Sequence, residues 1–530
     1  MSARRLQDLF LLLLAFLLVL PVLAILASWV QWDRVSSQIL REMAATVLPA
    51  YAWTSLGLCV AVGVGVALVG GAAAAAVTLF DFRGRRTFEW ALLLPLATPA
   101  YVVAYAYTDY LQFSGPLQSW LRATFGLQGR VLPEVRSVGG AALVFIFSLY
   151  PYVYLLARTA LAERAGHLME AARLLGAPLR RRIRRVALPL ARPAVTAGVA
   201  LALMETLADF GVSSYFGIQT FTTGIYKAWL AMDNRVAAAQ LATLLLIVVA
   251  ALLALERRAQ QRLRFTAPRG ARAGAADAQP VPLRGGRLVL AWAVCGLPVL
   301  FMLRPLAADW SVLPWDRFLQ WSFNSVRLGA ISAVLAVAMA LLMAFSLRRA
   351  PDAITRGVVQ LAALGYAVPG AVIVVGLLLP VGWLQQAAPQ SGAGGWITAT
   401  VLGVIWAYLV RFVSVALQSV QSGYSRIPGS FDDTARMLGA AGFALLARVH
   451  WPLLRRSSAA AALLVFVDVM KELPATLVLR PFDTDTLAVV AYQLARDERL
   501  GEAALPSLAL VLVGLLPVML LSRTLRERKR

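Results

Sequence analysis

The stretch EAARLLGAPLRRRIRRVALP, residues 170–189, returns in altered form as DTARMLGAAGFALLARVHWP, residues 433–452. Glu170 matches Asp433, Gly176 matches Gly439 and Pro189 matches Pro452, each pair 263 residues apart. The same offset aligns Glu205 with Asp468, Asp209 with Glu472 and Thr223 with Thr486, while an offset of 270 aligns Thr54 with Asn324 and Pro99 with Pro369. A duplicated unit that lost a few residues between those points explains both offsets. Chance similarity of Ala/Leu-rich segments does not keep Gly and Pro in register, so the chain reads as two copies of one unit.

The unit is a membrane unit. Apolar residues make up 60% of the 530, with a mean hydropathy of +0.72, whereas soluble domains hold roughly 45–50%. A hydrocarbon core about 30 Å thick needs about 20 apolar residues per helix. On that measure twelve spans are predicted, near 9–32, 50–80, 90–108, 138–157, 193–216, 236–255, 288–308, 324–347, 357–384, 393–412, 457–479 and 503–522. The first run follows Arg4 and Arg5 but exceeds the roughly 7–15 apolar residues of a signal peptide. Ala24 to Ala27 supplies no A-x-A cleavage site, so it reads as an anchor.

A net charge of +23 raises the question of nucleic acid. All but three of the 50 basic residues are arginine, and they lie between apolar runs rather than along one face. Such clusters mark cytoplasmic loops. Arg83, Arg85 and Arg86 follow span two, Arg164 and Arg173 to Arg185 follow span four, and eight arginines lie between Arg257 and Arg287. The alternation continues through Arg348, Arg349 and Arg356, Arg426 to Arg456, and the tail from Arg523 to Arg530, placing both termini in the cytoplasm. Six spans per copy is an even number, so the copies are parallel and a pathway between them is expected. Cys59, Cys295, His167 and His450 are too scattered for a disulfide framework or a zinc site. No phosphate loop includes Lys227, Lys471 or Lys529, and no paired-histidine or Ser/His constellation is present.

In the cytoplasmic loop, Glu170 to Leu175 ahead of Gly176 predicts a short helix with a carboxylate at its start and a left-handed cap at its end. Two turns of helix are unstable alone in water, so a partner groove is implied. The pattern of Glu-Ala-Ala, a glycine six residues after the Glu, and Leu-Pro further on resembles the EAA loop of ABC importer permeases, twice over nearly the whole chain. The resemblance implies an all-α type I permease fold with an anchor helix and external loop over 1–49, a first permease domain over 50–256 and a cytoplasmic linker over 257–287. A seventh span with its external loop follows over 288–320, then a second permease domain over 321–523 and a basic tail over 524–530. It also implies that Glu170, Ala171, Ala172, Gly176 and Pro189, with Asp433, Ala435, Gly439 and Pro452, couple the chain to two copies of a cytoplasmic ATPase. That partner, not this chain, would use ATP and Mg, and a periplasmic binding protein would deliver the substrate. Asp433 and Thr434 depart from the pattern and put equal coupling by the two loops in question. Arg180 to Arg185 fit either the ATPase or anionic lipid headgroups.

Spans five and eleven are interrupted at matching places by Glu205 and Asp209 and by Asp468 and Glu472. Acids four apart share a helical face, and acids inside a membrane are functional candidates. Two readings stand: a translocation pathway, or helix pairing such as Asp468 with Lys471. Tyr101, Tyr105 and Tyr107 read as packing. The phrases ETLADFGVSSYFGIQTFTTGIYKAW and KELPATLVLRPFDTDTLAVVAY look like those of ferric iron permeases in this family, and Fe(III) is a hard cation suited to oxygen donors. Thiamine, polyamine and phosphonate permeases share the architecture, and an ion-coupled secondary transporter is the rival from another class. The implied location is the bacterial inner membrane.

Overall fold

The computed structural model describes residues 3–30, 34–82, 84–162, 166–265, 279–280, 301, 303–304, 306–307, 310–440 and 442–527. The principal helices, in chain order, are α1 (Ala3–Ala27), α2 (Leu48–Leu79), α3 (Ala100–Leu111), α4 (Val138–Ala160), α5 (Gly166–Leu174), α6 (Leu188–Ala208), α7 (Gly211–Tyr215) and α8 (Arg235–Phe265). They continue as α9 (Trp315–Arg349), α10 (Gly370–Ala387), α11 (Leu402–Tyr424), α12 (Ser430–Met437), α13 (Trp451–Lys471), α14 (Pro474–Leu479) and α15 (Leu500–Glu527). The chain is a polytopic all-α membrane protein.

Among the described residues nine helices are long and apolar enough to cross a bilayer, or ten with one bent pair counted as a single span. Twelve were expected. Span three is that pair, Arg85–Ala97 with Ala100–Phe125, bent by 93° where Pro95 and Pro99 each remove a backbone donor. Span eleven is the full-length helix α13, whose Arg455, Arg456, Asp468 and Lys471 dilute its apolar character. Most of span seven lies outside the described residues. Residues 257–265, expected in a linker, instead continue α8.

The duplication is visible in the backbone. Pro99 (φ −58°, ψ 141°) begins α3 and Pro369 (φ −59°, ψ 143°) begins α10. Serines one residue beyond Thr54 and Asn324 perform the same task, Ser55 accepting the Phe221 N–H at 3.3 Å and Ser325 the Leu487 N–H at 2.8 Å.

The chain divides into two compact units built from non-contiguous stretches. Unit 1 comprises Met1–Arg41, Ile225–Leu246 and Pro314–Val490, and unit 2 comprises Glu42–Gly224, Ile247–Leu313 and Ala491–Arg530. Within unit 2, α2, α4 and α6 pack on one another, and within unit 1 the equivalent α9, α11 and α13 do the same. Each unit also takes in a helix from a distant part of the chain: α1 lies against α10 in unit 1, and α15 against Leu94–Ala97 in unit 2. These contacts are at backbone distance, because a Cβ on Gly376 would collide with the Pro21 carbonyl and one on Gly514 with the Ala97 carbonyl. Small residues are what permits helices to approach this closely in lipid.

A proline explains how α1 is held. Pro21 has no N–H to give the Leu17 carbonyl one turn back, and Trp406 Nε1 on α11 donates to that oxygen at 2.8 Å. Trp29 Nε1 donates to Thr243 Oγ1 of α8 at 3.0 Å, so both ends of the α1 region are tied into unit 1. Overpacking this seam with Gly376→Val is expected to lower unfolding stability by about 1–3 kcal/mol. Gly57→Val, where a Cβ meets nothing within 4 Å, should leave the thermal unfolding midpoint in detergent unchanged.

Candidate functional site

The two capped loops share one geometry. Helix α5 ends with Gly176 at φ +76° and α12 with Gly439 at φ +83°, both left-handed. Gly176 N–H donates to the Arg173 carbonyl (2.9 Å) and Ala177 N–H to the Ala172 carbonyl (3.0 Å). Gly439 N–H donates to Arg436 (3.0 Å) and Ala440 N–H to Ala435 (2.8 Å). Both ends are therefore Schellman caps. No heavy atom lies within 4 Å of a Cβ built on either glycine, so glycine is required by its φ and not by space.

Helix α5 begins at Gly166, so Glu170 lies in its middle rather than at its start. Only the second copy carries acids in the first turn, Asp432 and Asp433. Glu170, Ala171 and Asp433 are exposed, while Ala172 is half-buried and Ala435 buried. Pro189 and Pro452 each follow a π-helical turn, Ile183–Ala187 and Leu446–His450, where Leu188 N–H reaches back to Ile183 and Trp451 N–H to Leu446. The wider turn accommodates a ring that would strike the carbonyl four residues back in a regular helix. Of the arginines from Arg180 to Arg185, Arg182 is buried and the other four are exposed.

The loops differ in how they are seated. In unit 1 the Arg348 guanidinium, at the end of α9, grips Asp432 through Nε to Oδ2 at 2.6 Å and Nη2 to Oδ1 at 3.1 Å. It also donates to the carbonyls of Tyr424, Ile427 and Pro428. His450 lies 2.9 Å from Asp432 Oδ1 through Nε2 and 3.2 Å from the Tyr424 hydroxyl through Nδ1. The carboxylate can only accept, so Nε2 carries a proton. Burial alone would raise the Asp432 carboxyl, but hydrogen bonds from Arg348 and His450 outweigh it and hold the group below its usual range. At the matching positions unit 2 has Thr78, Leu161, Met169 and Ala187, all buried. One loop is seated by charge and the other mainly by apolar contact.

The four acids of spans five and eleven do not form two helical faces, because the helices end between them. Helix α6 stops at Ala208 and Asp209 is extended (φ −70°, ψ 133°). Helix α13 stops at Lys471 and Glu472 is extended (φ −69°, ψ 119°). Each of these acids then accepts from the first N–H groups of the next short helix. Asp209 Oδ1 takes Val212 (2.9 Å) and Ser213 (3.3 Å) of α7, and Glu472 takes Ala475 and Thr476 of α14, both at 3.0 Å. Glu205 and Asp468 are half-buried one turn earlier. Tyr101, Tyr105 and Tyr107 are buried, with Tyr105 edge-on to Tyr215 at 4.7 Å between ring centroids.

Comparison with known proteins bears on this geometry. The family model for the inner membrane component of binding-protein-dependent transport systems matches residues 67–264, a stretch that includes the first capped loop and the first acid break. The duplicated backbone carries the same pattern into the second half. The chain belongs to this permease family. The permease is 25% identical to the Fe(3+)-transport system permease protein FbpB 2 of Haemophilus influenzae, over 88% of each chain. It is 25% identical to the probable ABC transporter permease protein y4fN of Sinorhizobium fredii, over 97% of this chain and 94% of that one. It is 23% identical to the putative ferric transport system permease protein FbpB 1 of H. influenzae, over 89% of this chain and 77% of that one. The permease is thus a multi-pass inner-membrane transport subunit of a kind that works with an ATPase and a substrate-binding protein.

Sequence reading of the permease missed Arg348, Asp432, His450 and Arg411. Arg348 and His450 looked like ordinary cytoplasmic flank. Arg411 left a usable signal, a lone charge inside span ten. Removing one member of a buried ion pair strands the other, so Arg348→Gln is expected to cost about 3–5 kcal/mol, read as a lower thermal unfolding midpoint. The sign of the pH effect follows from the depressed Asp432 carboxyl. Its contribution is complete above the unfolded value near pH 4 and disappears as pH falls through the lower folded value. Arg348→Gln should flatten the loss of thermal stability below about pH 4.

Proposed function

We propose that the permease moves ferric iron, delivered by a periplasmic binding protein, into the cytoplasm by alternating access driven by two copies of a cytoplasmic ATPase that dock on α5 and α12. One observation carries the docking. Leu174 and Leu175 are 84% and 87% exposed beside the first cap, and the repeat-equivalent Met437 and Leu438 are 89% and 82% exposed beside the second. Large apolar side chains held out at the same place twice, on helices too short to persist alone, are complementary to a hydrophobic groove on another protein. In this reading Glu170, Ala171, Ala172 and Gly176, with Asp433, Ala435 and Gly439, form the coupling surfaces. Pro189 and Pro452 start the helices that receive the motion.

The seats give the docked partner something to move. Through Arg348, Asp432 and His450, a displacement of α12 is passed to α9, α11 and α13. A displacement of α5 acts through the apolar seat of Met169 and Leu161. ATP and Mg act in the partner, and this chain supplies the path. The arginine-rich loops support a cytoplasmic position for both termini, and in this reading α5 and α12 face the ATPase. Ferric iron is favoured by the two Haemophilus relatives whose names specify ferric transport, and the Asp209 carboxylate is a hard donor suited to a hard cation.

The coupling claim is tested with Leu175→Asp and Leu438→Asp combined, reconstituted with the ATPase and a ferric-loaded binding protein. Loss of ATPase co-purification and a fall of at least about tenfold in ATP-dependent iron uptake are expected, in keeping with truncated hot spots of 2 kcal/mol or more. Undiminished uptake would remove the claim.

A further inference from the structure

The repeat places the two acid breaks in different electrostatic settings. In unit 1, Arg411 Nη1 lies 3.7 Å from Glu472 Oε1, with Glu472 buried and Arg411 half-buried. Glu472 Oε2 also accepts from the Thr476 hydroxyl at 2.7 Å, and the Tyr408 hydroxyl lies 2.6 Å from that same Thr476 oxygen. Lys471 precedes Glu472 and lies one turn from Asp468. Two acids in unit 1 are thus accompanied by two cations.

In unit 2 both cations are missing from the equivalent positions. Ser148 stands where the offset of 263 places Arg411, and Ala208 where it places Lys471. Asp209 keeps the N–H groups of Val212 and Ser213, and among the described residues no arginine or lysine pairs with it. Arg136 is engaged elsewhere, with Glu498 at 2.7 Å and the Tyr215 hydroxyl at 3.2 Å. Phe145 replaces Tyr408 and Ser213 replaces Thr476, so the closed network of unit 1 has no counterpart. Volume is exchanged as well: Tyr105 takes the place of Val375, opposite the loss of the Arg411 side chain. Tyr105 stacks edge-on against Tyr215, the last residue of the short helix that Asp209 caps. The hydroxyls of Tyr105, Ser148 and Ser213 are buried and have no hydrogen-bond partner among the described residues.

We propose that Asp209 is the specificity-determining carboxylate of the permease, its charge favouring a hard cation, while Glu472 is a structural group neutralised in place by Arg411. The inference rests on the importer reading and assigns unequal roles to the acids of the two halves. Each of the two caps a helix, but only Glu472 has a guanidinium against it; among the described residues Asp209 is met by the N–H groups of Val212 and Ser213. The buried hydroxyls of Tyr105, Ser148 and Ser213 add oxygen donors of the kind such a cation takes.

The test uses the full chain with its ATPase in proteoliposomes, supplied with ferric-loaded binding protein, and records iron uptake, ATP hydrolysis and thermal unfolding together. Asp209→Asn keeps an oxygen to accept from Val212 and removes only the charge. Uptake should fall at least about tenfold, the scale of losing one selective contact, with ATP hydrolysis and unfolding midpoint retained. The double variant Ser148→Arg with Tyr105→Val rebuilds the unit 1 arrangement inside unit 2. It supplies a folded second route to the same loss by neutralising Asp209 in place. Glu472→Gln should lower the unfolding midpoint by stranding Arg411 but keep iron uptake within about threefold of the unaltered chain. Undiminished uptake in either Asp209→Asn or the double variant overturns the inference, as does a selective loss in Glu472→Gln at an unchanged midpoint. If the unaltered chain moves no ferric iron, the importer reading fails first. If it does and the Asp209 variants do too, only the present inference fails.

Discussion

A backbone that stops being helical inside a membrane must find partners for the N–H groups it frees, since each one left unpaired in hydrocarbon costs several kcal/mol. The permease meets this demand twice with the same device. Asp209 and Glu472 end one helix in an extended conformation and accept from the opening N–H groups of the next. With those donors satisfied, the chain can turn into α7 or α14 without disordering the helix before it. Asp209 and Glu472 are thus a condition for the shape of these two segments.

Duplication kept the backbone and let the chemistry drift. Caps, π-helical turns and helix-starting prolines coincide in the two copies to within a few degrees or a residue. The side chains that seat them do not. Asp432, Arg348 and His450 form a polar joint where the other copy has Met169, Thr78 and Ala187, and Arg411 beside Glu472 becomes Ser148. Both exchanges remove an arginine from unit 2. A buried carboxylate left without its cation is costly, and the two copies differ at both places: Met169 stands where unit 1 has Asp432, and Asp209 stands where unit 1 has Glu472. Two halves with one fold are therefore not interchangeable.

Much of this was legible in residue order alone, because the forces involved are local. Apolar runs of membrane length and a glycine six residues after a carboxylate specify spans and capped helices without reference to distant partners. The bend in span three was implicit in Pro95 and Pro99. By contrast, the start of α5 at Gly166 was hidden, since Gly166, His167, Leu168 and Met169 ahead of Glu170 carry no capping signal. The helical face proposed for each acid pair also failed, because periodicity presumes a helix that in fact ends between them.

The sequence by itself determined that the permease is a duplicated bundle of membrane helices with two capped loops, since hydropathy and turn chemistry act over a few residues. Only the tertiary structure decided which helices complete each unit, which charges are answered and which remain. Those outcomes depend on groups brought together from far apart along the chain: Trp406 on the carbonyl that Pro21 leaves free, Arg348 on Asp432, Arg411 on Glu472. An ion pair is set by the few ångströms between two side chains and not by their separation in sequence.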